Sequence, residues 1–286
     1  IDILPILIHG TGYTMTKGDF LLKDGKISIK YLPRIKKDST HLGVGYAEKT
    51  KLISRYFKEE YRKLSIETEQ PGYFKEQLIY NFLYKGPLLE WQLRIRLRLE
   101  KNYAGLHTLL PRKGKMLHIG CEYGFATYLM HFASKEREFT GIDEDEDKVE
   151  TANNCFSKDD KINFIFTDAL KFQYETYDAI IISDVLPYLQ EADQKKVIEK
   201  CISSLNPNGS IIIRIKNKNL APRTGESILT RHPPTGSNGI AAGEPSNLKR
   251  QLLTDTAAEY NMKYTNMEQL KYSSDVVFVI KREQLN

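Results

Sequence analysis

Two glycines separated by three residues follow a short apolar run in "KMLHIGCEYGFATYL", residues 115–129. The run predicts a strand that ends near Gly120, and the residues after Gly124 have the periodicity of a helix. A glycine turn between a strand and a helix suits the polar end of a nucleotide cofactor, because glycine permits close approach of the backbone. Glu122 stands between the glycines, where a third glycine is expected. The chemistry of this loop depends on whether Glu122 obstructs the site or serves it.

Three further groups of polar residues follow three later apolar runs. Asp143 in "GIDEDED" has a carboxylate that can accept hydrogen bonds from both hydroxyls of a ribose. Asp168 in "FTDAL" can meet an adenine amino group through its side chain or the neighbouring backbone. Asp184 and Tyr188 in "ISDVLPYL" face the transferable part of a cofactor. The predicted cofactor-binding residues are Gly120, Glu122, Gly124, Asp143, Glu144, Asp168, Ala169 and Ser183, and no metal ligand is predicted.

Structural roles also explain these residues one by one. The acids around Asp143 suit the start of a helix, and Asp168 suits a helix N-cap. The shared placement of these residues at successive strand ends favours a common site. A dinucleotide site is excluded by spacing, since G-x-G-x-x-G counted from Gly120 requires glycine at Glu122 and Phe125.

The elements that position these residues alternate between strand and helix over residues 111–286. We predict a doubly wound, mainly parallel sheet of seven strands with right-handed crossovers, whose final strand "SDVVFVIK" is antiparallel. In such a sheet, ligands bind at the carboxyl ends of the central strands. "NPNG" predicts a turn before the strand "SIIIRI". Residues 219–246 predict a long loop, either a surface connection or a lid over the substrate pocket.

The first 110 residues have a different character. Residues 1–48 have strand periodicity, clearest in "KISIKYLPRI", and residues 45–110 predict helices, one of which begins at Pro87. Arg94, Arg96 and Arg98 alternate with apolar residues. Their side chains can face water, intramolecular acids, a partner's acids or anionic lipid. Because the chain begins with Ile inside an apolar run, we predict that it is part of a longer polypeptide.

Composition narrows the classes of function. Hydrophobic residues make up 41% of the 286 and charged residues 28%, an ordinary globular balance. The net charge of +5 comes without a long basic run, so nucleic acid is not an expected partner. The three cysteines form no CxxC pair, which argues against a disulfide framework or a zinc site and for a reducing compartment. No apolar run approaches the ~20 residues of a membrane span.

Residues 111–286 resemble the class I S-adenosylmethionine-dependent methyltransferases. The matching stretches, in the family's order, are "MLHIGCEYGFATYL", "FTGIDEDEDKVETA", "INFIFTDAL", "YDAIIISDVLPYL" and "LNPNGSIIIRI". The resemblance implies a Rossmann-like fold and S-adenosylmethionine as the cofactor. It implies that Gly120 and Gly124 bound the methionine end, that Asp143 holds the ribose, and that Asp168 lies near the adenine.

"ILPILIHGTG" and "TKGDFLLKDGKISIKYLPRI" resemble the end of a lysophospholipid acyltransferase domain. The whole chain is similar to the tail of bacterial proteins that fuse such an acyltransferase to a methyltransferase. The resemblance implies three parts: residues 1–48 as an acyltransferase remnant, 49–110 as a helical linker, and 111–286 as the methyltransferase domain. The His-x4-Asp motif of the acyltransferases does not occur in this chain, so acyl transfer by it is not predicted.

Four positions depart from the methyltransferase pattern. His118 stands where an acid is usual, Glu122 where the middle glycine is usual, and Pro187 where fusion relatives have His. The strand end "RIKNKN" also lacks the acid of those relatives. We hypothesise that Glu122 supplies from the loop the carboxylate that position 118 lacks.

The leading prediction is methyl transfer to a small or lipid-linked acceptor. Asp184, Tyr188 and Tyr103 are the predicted lining of the acceptor pocket, and His107 is a weaker candidate base. One alternative is a methyltransferase-fold module with impaired catalysis that acts as a scaffold for a fused acyltransferase. Another, weaker alternative is nucleic-acid methylation. We expect a cytoplasmic protein, with peripheral membrane contact through the rest of the full-length chain.

Overall fold

The structure is a computed structural model that describes residues 2–14, 25–37, 45–99, 103–216, 250–267 and 275–282. The predicted loop 219–246 lies outside these residues. The chain divides into two compact units, Ile1–Glu76 and Gln77–Asn286. The three-part division predicted from the sequence stays a prediction.

The first unit combines a two-stranded sheet with a long helix. Its elements are β1 (Ile6–His9), α1 (Thr11–Thr14), β2 (Ser28–Tyr31), α2 (Tyr46–Thr68) and a 3-10 turn (Pro71–Phe74). The strands are antiparallel, with Ile6 opposite Tyr31. Leu7, Leu32 and Leu64 form a small buried cluster. The strand predicted from "KISIKYL" is present, but its alternating apolar residues Ile29 and Tyr31 are exposed.

Three helices precede the main sheet of the second unit. They are α3 (Lys75–Asn81), α4 (Pro87–Leu99) and α5 (Tyr103–Leu109). Helix α4 begins at Pro87, as predicted, because proline's fixed φ suits the first helical position and its missing N–H costs nothing there. Leu93 and Leu97 lie one turn apart and are buried, while Arg94 and Arg98 of the same helix are exposed.

The second unit is built on a seven-stranded sheet. Its strands are β3 (Lys113–Ile119), β4 (Glu136–Asp143), β5 (Ile162–Phe166), β6 (Tyr177–Ser183), β7 (Leu205–Lys216), β8 (Met262–Met267) and β9 (Asp275–Arg282). Their order is β5-β4-β3-β6-β7-β9-β8, with β3 to β7 parallel and β9 antiparallel to both neighbours. The predicted doubly wound fold is confirmed.

Within the described residues, the helices that accompany these strands are α6 (Phe125–Phe132), α7 (Glu146–Asn153), α8 (Glu191–Ser203) and α9 (Arg250–Glu259). The middle of β6 is fully apolar, and Ile180, Ile181 and Ile182 are all buried. Val197 and Ile198 of α8 belong to the same hydrophobic cluster as Ile180 and Ile182. A central parallel strand covered on both faces requires such an uninterrupted apolar run.

The turn predicted at Asn206–Gly209 lies inside the bounds of β7. Leu205 pairs with Tyr177 and the next regular pair is Ser210 with Ala179, so the residues between them bulge out of the pairing with β6. The chain folds back here, since a Cβ on Gly209 would lie 3.0 Å from the Asn206 carbonyl oxygen and 3.2 Å from the Leu205 Cβ. The Asn206 side-chain amide donates to Asp178 Oδ1 at 2.7 Å and holds the bulge against β6.

Candidate functional site

The loop after β3 has left-handed backbone at three positions. The φ angles are 75° at Gly120, 48° at Glu122 and 76° at Gly124. The N–H groups of Gly120 and Cys121 donate to the Ile142 carbonyl at 2.9 and 3.1 Å, which ties the loop to β4. A Cβ on Gly120 would lie 2.4 Å from the Ser183 carbonyl oxygen, so only glycine fits there. At Glu122 the left-handed conformation costs roughly 1–2 kcal/mol.

Asp143, at the end of β4, binds the backbone of this loop. Its Oδ2 accepts the Glu122 N–H at 2.8 Å and its Oδ1 accepts the Asp145 N–H at 3.1 Å. Burial raises the pKa of Asp143, although these two amide donors act in the opposite direction. Each carboxylate oxygen keeps a further lone pair. Asp143 therefore supports the loop backbone and can still accept hydrogen bonds from a ligand.

Two of the predicted cofactor-binding residues, Glu144 and Asp168, follow the ends of β4 and β5. The Thr167 N–H donates to the Asp143 carbonyl at 3.0 Å, which joins these two ends. Burial, followed by the carboxylates of Asp168 and Asp143, raises the pKa of Glu144. Asp168 Oδ1 accepts the Leu170 N–H at 2.7 Å, so its side chain also shapes the turn after β5. Ala169 is buried in the core. The ends of β4 and β5 thus bring together acids that are about 25 residues apart in sequence.

His118 occupies the position of the usual acid as a buried, neutral group. Its Nδ1 hydrogen-bonds Thr127 Oγ1 at 2.7 Å and its Nε2 hydrogen-bonds Ser183 Oγ at 3.0 Å. Burial, assisted by the nearby positive charge of Arg214, lowers the pKa of His118 to about 3. The imidazole therefore links α6 to β6 beneath the loop and brings no negative charge to it.

Asp184 lies at the end of β6, the strand whose terminal residues pack against Gly120. Its backbone is left-handed, with φ of 55°, and its N–H donates to the Arg214 carbonyl at 3.0 Å. Its carboxylate lies 3.6 Å from the Arg214 guanidinium, which is largely buried. Tyr188 follows in a 3-10 turn (Leu186–Tyr188) and is 49% exposed. Both predicted acceptor residues therefore lie at the carboxyl edge of the sheet.

His107 does not join this edge. Its Nδ1 lies 3.1 Å from Arg137 Nη1 and its Nε2 lies 3.4 Å from Arg112 Nη2. Arg137 pairs with Gly114 at the beginning of β3, which is the opposite edge of the sheet from the glycine loop. Burial and the two guanidinium groups lower the pKa of His107 to about 4. Its position indicates a structural role.

Tyr103 lies one helical turn before His107 in α5 and is only 5% exposed. Its burial supports a packing role for the ring. A role in an acceptor pocket therefore stays a prediction for Tyr103.

Arg96 is one of the three arginines of α4 whose partners the sequence left open, and it meets an acid of the same chain. Its guanidinium makes two contacts with the Glu122 carboxylate, Nη1 to Oε2 and Nη2 to Oε1, the latter at 3.2 Å. Its Cζ lies 5.6 Å from the centroid of the Phe125 ring, on which Tyr123 stacks. The neighbouring Arg94 pairs instead with Glu90 within α4, at 2.7 Å. No local pattern predicts the Arg96 pair, since 26 residues separate its members.

Comparison with known proteins finds a sequence family that matches the loop and the strands around it. Residues 116–209 match the sequence model of a family described as "Methyltransferase domain". The match covers 94 of the 286 residues, about a third of the chain. The match begins in β3 and ends in β7, so it includes the glycine loop, Asp143, Asp168 and Asp184. It confirms the predicted class of this domain, an S-adenosylmethionine-dependent methyltransferase.

Two curated relatives are carboxy-S-adenosyl-L-methionine synthases. The protein of Campylobacter concisus is 23% identical over 112 residues, covering 39% of this chain and 48% of that protein. The protein of Aliivibrio salmonicida is 24% identical over 123 residues, covering 41% of this chain and 48% of that protein. The chain thus matches about half the length of each.

Among solved structures, the pyocyanin biosynthetic protein PhzM is similar, with a TM-score of 0.50 and 14% identity. The similarity covers 72% of this chain and 62% of that protein. At this level of identity the likeness supports the fold.

Proposed function

We propose that this chain transfers a methyl group from S-adenosylmethionine to a small or lipid-linked acceptor. The main support is the glycine loop at the end of β3, held in left-handed backbone by the Asp143 carboxylate. A Cβ on Gly120 would lie 2.4 Å from the Ser183 carbonyl oxygen and one on Gly124 would lie 2.6 Å from the Phe164 ring, so close packing within the chain requires glycine at both positions. The curated relatives are named for carboxy-S-adenosyl-L-methionine, a derivative of the same cofactor, which agrees with the proposal.

The residues of the chain fit this cofactor by type. In the proposal, Gly120 and Gly124 bound its amino-acid end, and Asp143 accepts the ribose hydroxyls with its remaining lone pairs. Asp168 and the backbone beside it face the adenine. When bound, the cofactor supplies an electrophilic methyl group on a sulfonium. The chain must then position an acceptor lone pair in line with that methyl group, since proximity and orientation dominate such a transfer.

Asp184 and Tyr188 are the proposed acceptor-side residues. They would hold the acceptor beside the sulfonium methyl group that the bound cofactor would supply. An acceptor that keeps its proton must lose it to a base. The Asp184 carboxylate is the candidate at this edge, with Arg214 fixing its orientation at 3.6 Å.

The lipid-linked class of acceptor is supported by the resemblance of residues 1–48 to an acyltransferase. Within the described part of the chain, each helix is too short or too polar to cross a membrane. The acids Asp143, Glu144 and Asp168 form a negative rim at the site, which opposes a nucleic-acid backbone. Methylation of nucleic acid is therefore the less favoured proposal.

A catalytically impaired scaffold is the second candidate. The observation in its favour is the Glu122 carboxylate, which lies in the loop where the family has glycine and is occupied by Arg96. The two candidates predict different results in calorimetric titration of the whole chain. An enzyme binds S-adenosylmethionine and S-adenosylhomocysteine, whereas a scaffold that has lost the site binds neither.

Replacing Asp143 by Asn tests the assignment of the site. We expect Asp143→Asn to weaken binding of S-adenosylhomocysteine by about 10-fold, because an amide presents one acceptor oxygen instead of two. Asp147→Asn, an exposed acid of the same run, is the matched control and should leave binding unchanged. Equal affinities for Asp143→Asn and the unaltered chain would refute the assignment.

A further inference from the structure

We propose that Arg96 and Glu122 act together as a clamp for the α-amino-acid end of the cofactor. In this clamp the Arg96 guanidinium binds the α-carboxylate and the Glu122 carboxylate binds the α-ammonium. The inference rests on the proposed function and assigns the specificity of its loop to a pair of opposite charges.

The pair is placed where a ligand can exchange with it. Arg96 and Glu122 face each other through two parallel contacts, a fork-to-fork arrangement that fits a planar carboxylate. Their side chains are 25% and 38% exposed, so neither charge is sealed from solvent. An ion pair with this exposure contributes little to stability, and replacing it with two ligand contacts costs little.

Each member of the pair is held independently of the other. The Glu122 backbone has a left-handed φ of 48°, and its N–H is held by the Asp143 carboxylate at 2.8 Å. Arg96 lies on α4 and against the Phe125 ring, at 5.6 Å from its centroid. A cation over an aromatic face keeps favourable energy when its acidic partner turns away. Both charges therefore stay at the loop when the pair opens.

The clamp explains why the family's glycine can be replaced by an acid here. Alone, a carboxylate at position 122 would repel the α-carboxylate of the cofactor. Arg96 removes that repulsion by offering a positive partner at the same place. Glu122 in turn provides a negative charge for the ammonium, which the neutral His118 imidazole beneath the loop does not.

Lys148 is the other cation near Glu122, and its geometry assigns it a different role. Its Nζ is bonded to Asp145 at 3.1 Å, within the first turn of α7, and lies 5.9 Å from the Tyr123 ring. Although burial opposes it, attraction to Glu122, Asp145 and Asp143 raises the pKa of Lys148. Lys148 thus pairs with Asp145 and is also attracted by Glu122, whereas Arg96 contacts the Glu122 carboxylate directly with a bidentate fork.

Two ligands that share the adenosine part separate the clamp from the rest of the site. S-adenosylhomocysteine has the amino-acid end, and 5′-methylthioadenosine lacks it. Titrated into the whole chain, Arg96→Ala should weaken S-adenosylhomocysteine at least 10-fold and change 5′-methylthioadenosine less than 2-fold. Glu122→Gln should also weaken binding of S-adenosylhomocysteine, since it removes the negative partner of the ammonium and keeps the side-chain length.

Arg94→Ala is the matched control, because Arg94 lies on the same helix, has the same side chain and pairs with Glu90. It should leave both affinities unchanged. Retained binding of 5′-methylthioadenosine also shows that Arg96→Ala and Glu122→Gln are folded.

The clamp is overturned if Arg96→Ala binds S-adenosylhomocysteine as tightly as the unaltered chain does. It is also overturned if Arg96→Ala weakens both ligands by the same factor, since Arg96 would then only support the loop. Failure of the unaltered chain to bind either ligand would refute the proposed function, and the clamp with it.

Discussion

Replacing His118 by Gln should remove part of the acid sensitivity of the second unit. His118 is 2% exposed and makes two side-chain hydrogen bonds, to Thr127 and Ser183. Gln has both a donor and an acceptor, so it can form similar bonds, but it does not titrate. Comparing the free energies of unfolding of the two proteins at two pH values therefore isolates the effect of protonating His118.

The sign of the effect follows from the two pKa values of the histidine. Burial lowers the pKa of folded His118 to about 3, whereas an unfolded histidine has a pKa of about 6.5. Between these values the unfolded chain binds more protons than the folded chain, so the free energy of unfolding falls as the pH falls. At pH 5, about 1.5 units below the unfolded pKa, this contribution is roughly 2 kcal/mol.

Urea unfolding at pH 7 and pH 5 measures the difference. Trp91, the single tryptophan of the sequence, lies in α4 of the same unit and reports unfolding by fluorescence. Between pH 7 and pH 5, the unaltered chain should lose about 2 kcal/mol more free energy of unfolding than His118→Gln. Carboxylates that titrate in both proteins cancel in this comparison.

Thr127→Val provides the control, since it deletes one hydrogen bond of His118 and keeps the imidazole. It should lower the free energy of unfolding by about 1–2 kcal/mol at both pH values, with little change in the pH dependence. If the unaltered chain and His118→Gln lose the same free energy between pH 7 and pH 5, the imidazole is not a buried neutral group and the reasoning is wrong.

Two more substitutions test the framework of the site by urea unfolding. Gly124→Ala should lower the free energy of unfolding by roughly 1–3 kcal/mol, because the φ of Gly124 is 76° and a Cβ would lie 2.6 Å from the Phe164 ring. Adding Phe164→Leu should recover part of this loss. Arg137→Met should lower the free energy of unfolding by about 3–5 kcal/mol. The buried guanidinium donates to four backbone carbonyls, those of His107, Leu110, Pro111 and Met130. An unchanged urea midpoint in either variant would contradict its geometry.

Local patterns in the sequence account for most of the sheet and for the position of the loop. The apolar run around Ile181 predicts a doubly covered strand, and the residues after Gly124 predict a helix, because both periodicities depend only on neighbouring residues. Asp143 and Asp184 are predicted at one edge because parallel strands end on the same side. This part of the site follows from the order of strands and helices alone.

Contacts between distant parts of the chain decided the rest. The pairing of Leu205 and Ser210 with β6 placed the predicted turn inside a strand, and the contact of Arg137 with His107 placed that histidine at the opposite edge of the sheet from the loop. Arg96 reaches Glu122 across 26 residues. Hydrophobic periodicity shows which side of α4 is buried, but it contains no information on which acid its arginines meet. The sequence by itself determined the sheet and the glycine loop, because strand and helix formation are local; the tertiary structure alone decided which charges surround that loop, because ion pairing depends on distances in space.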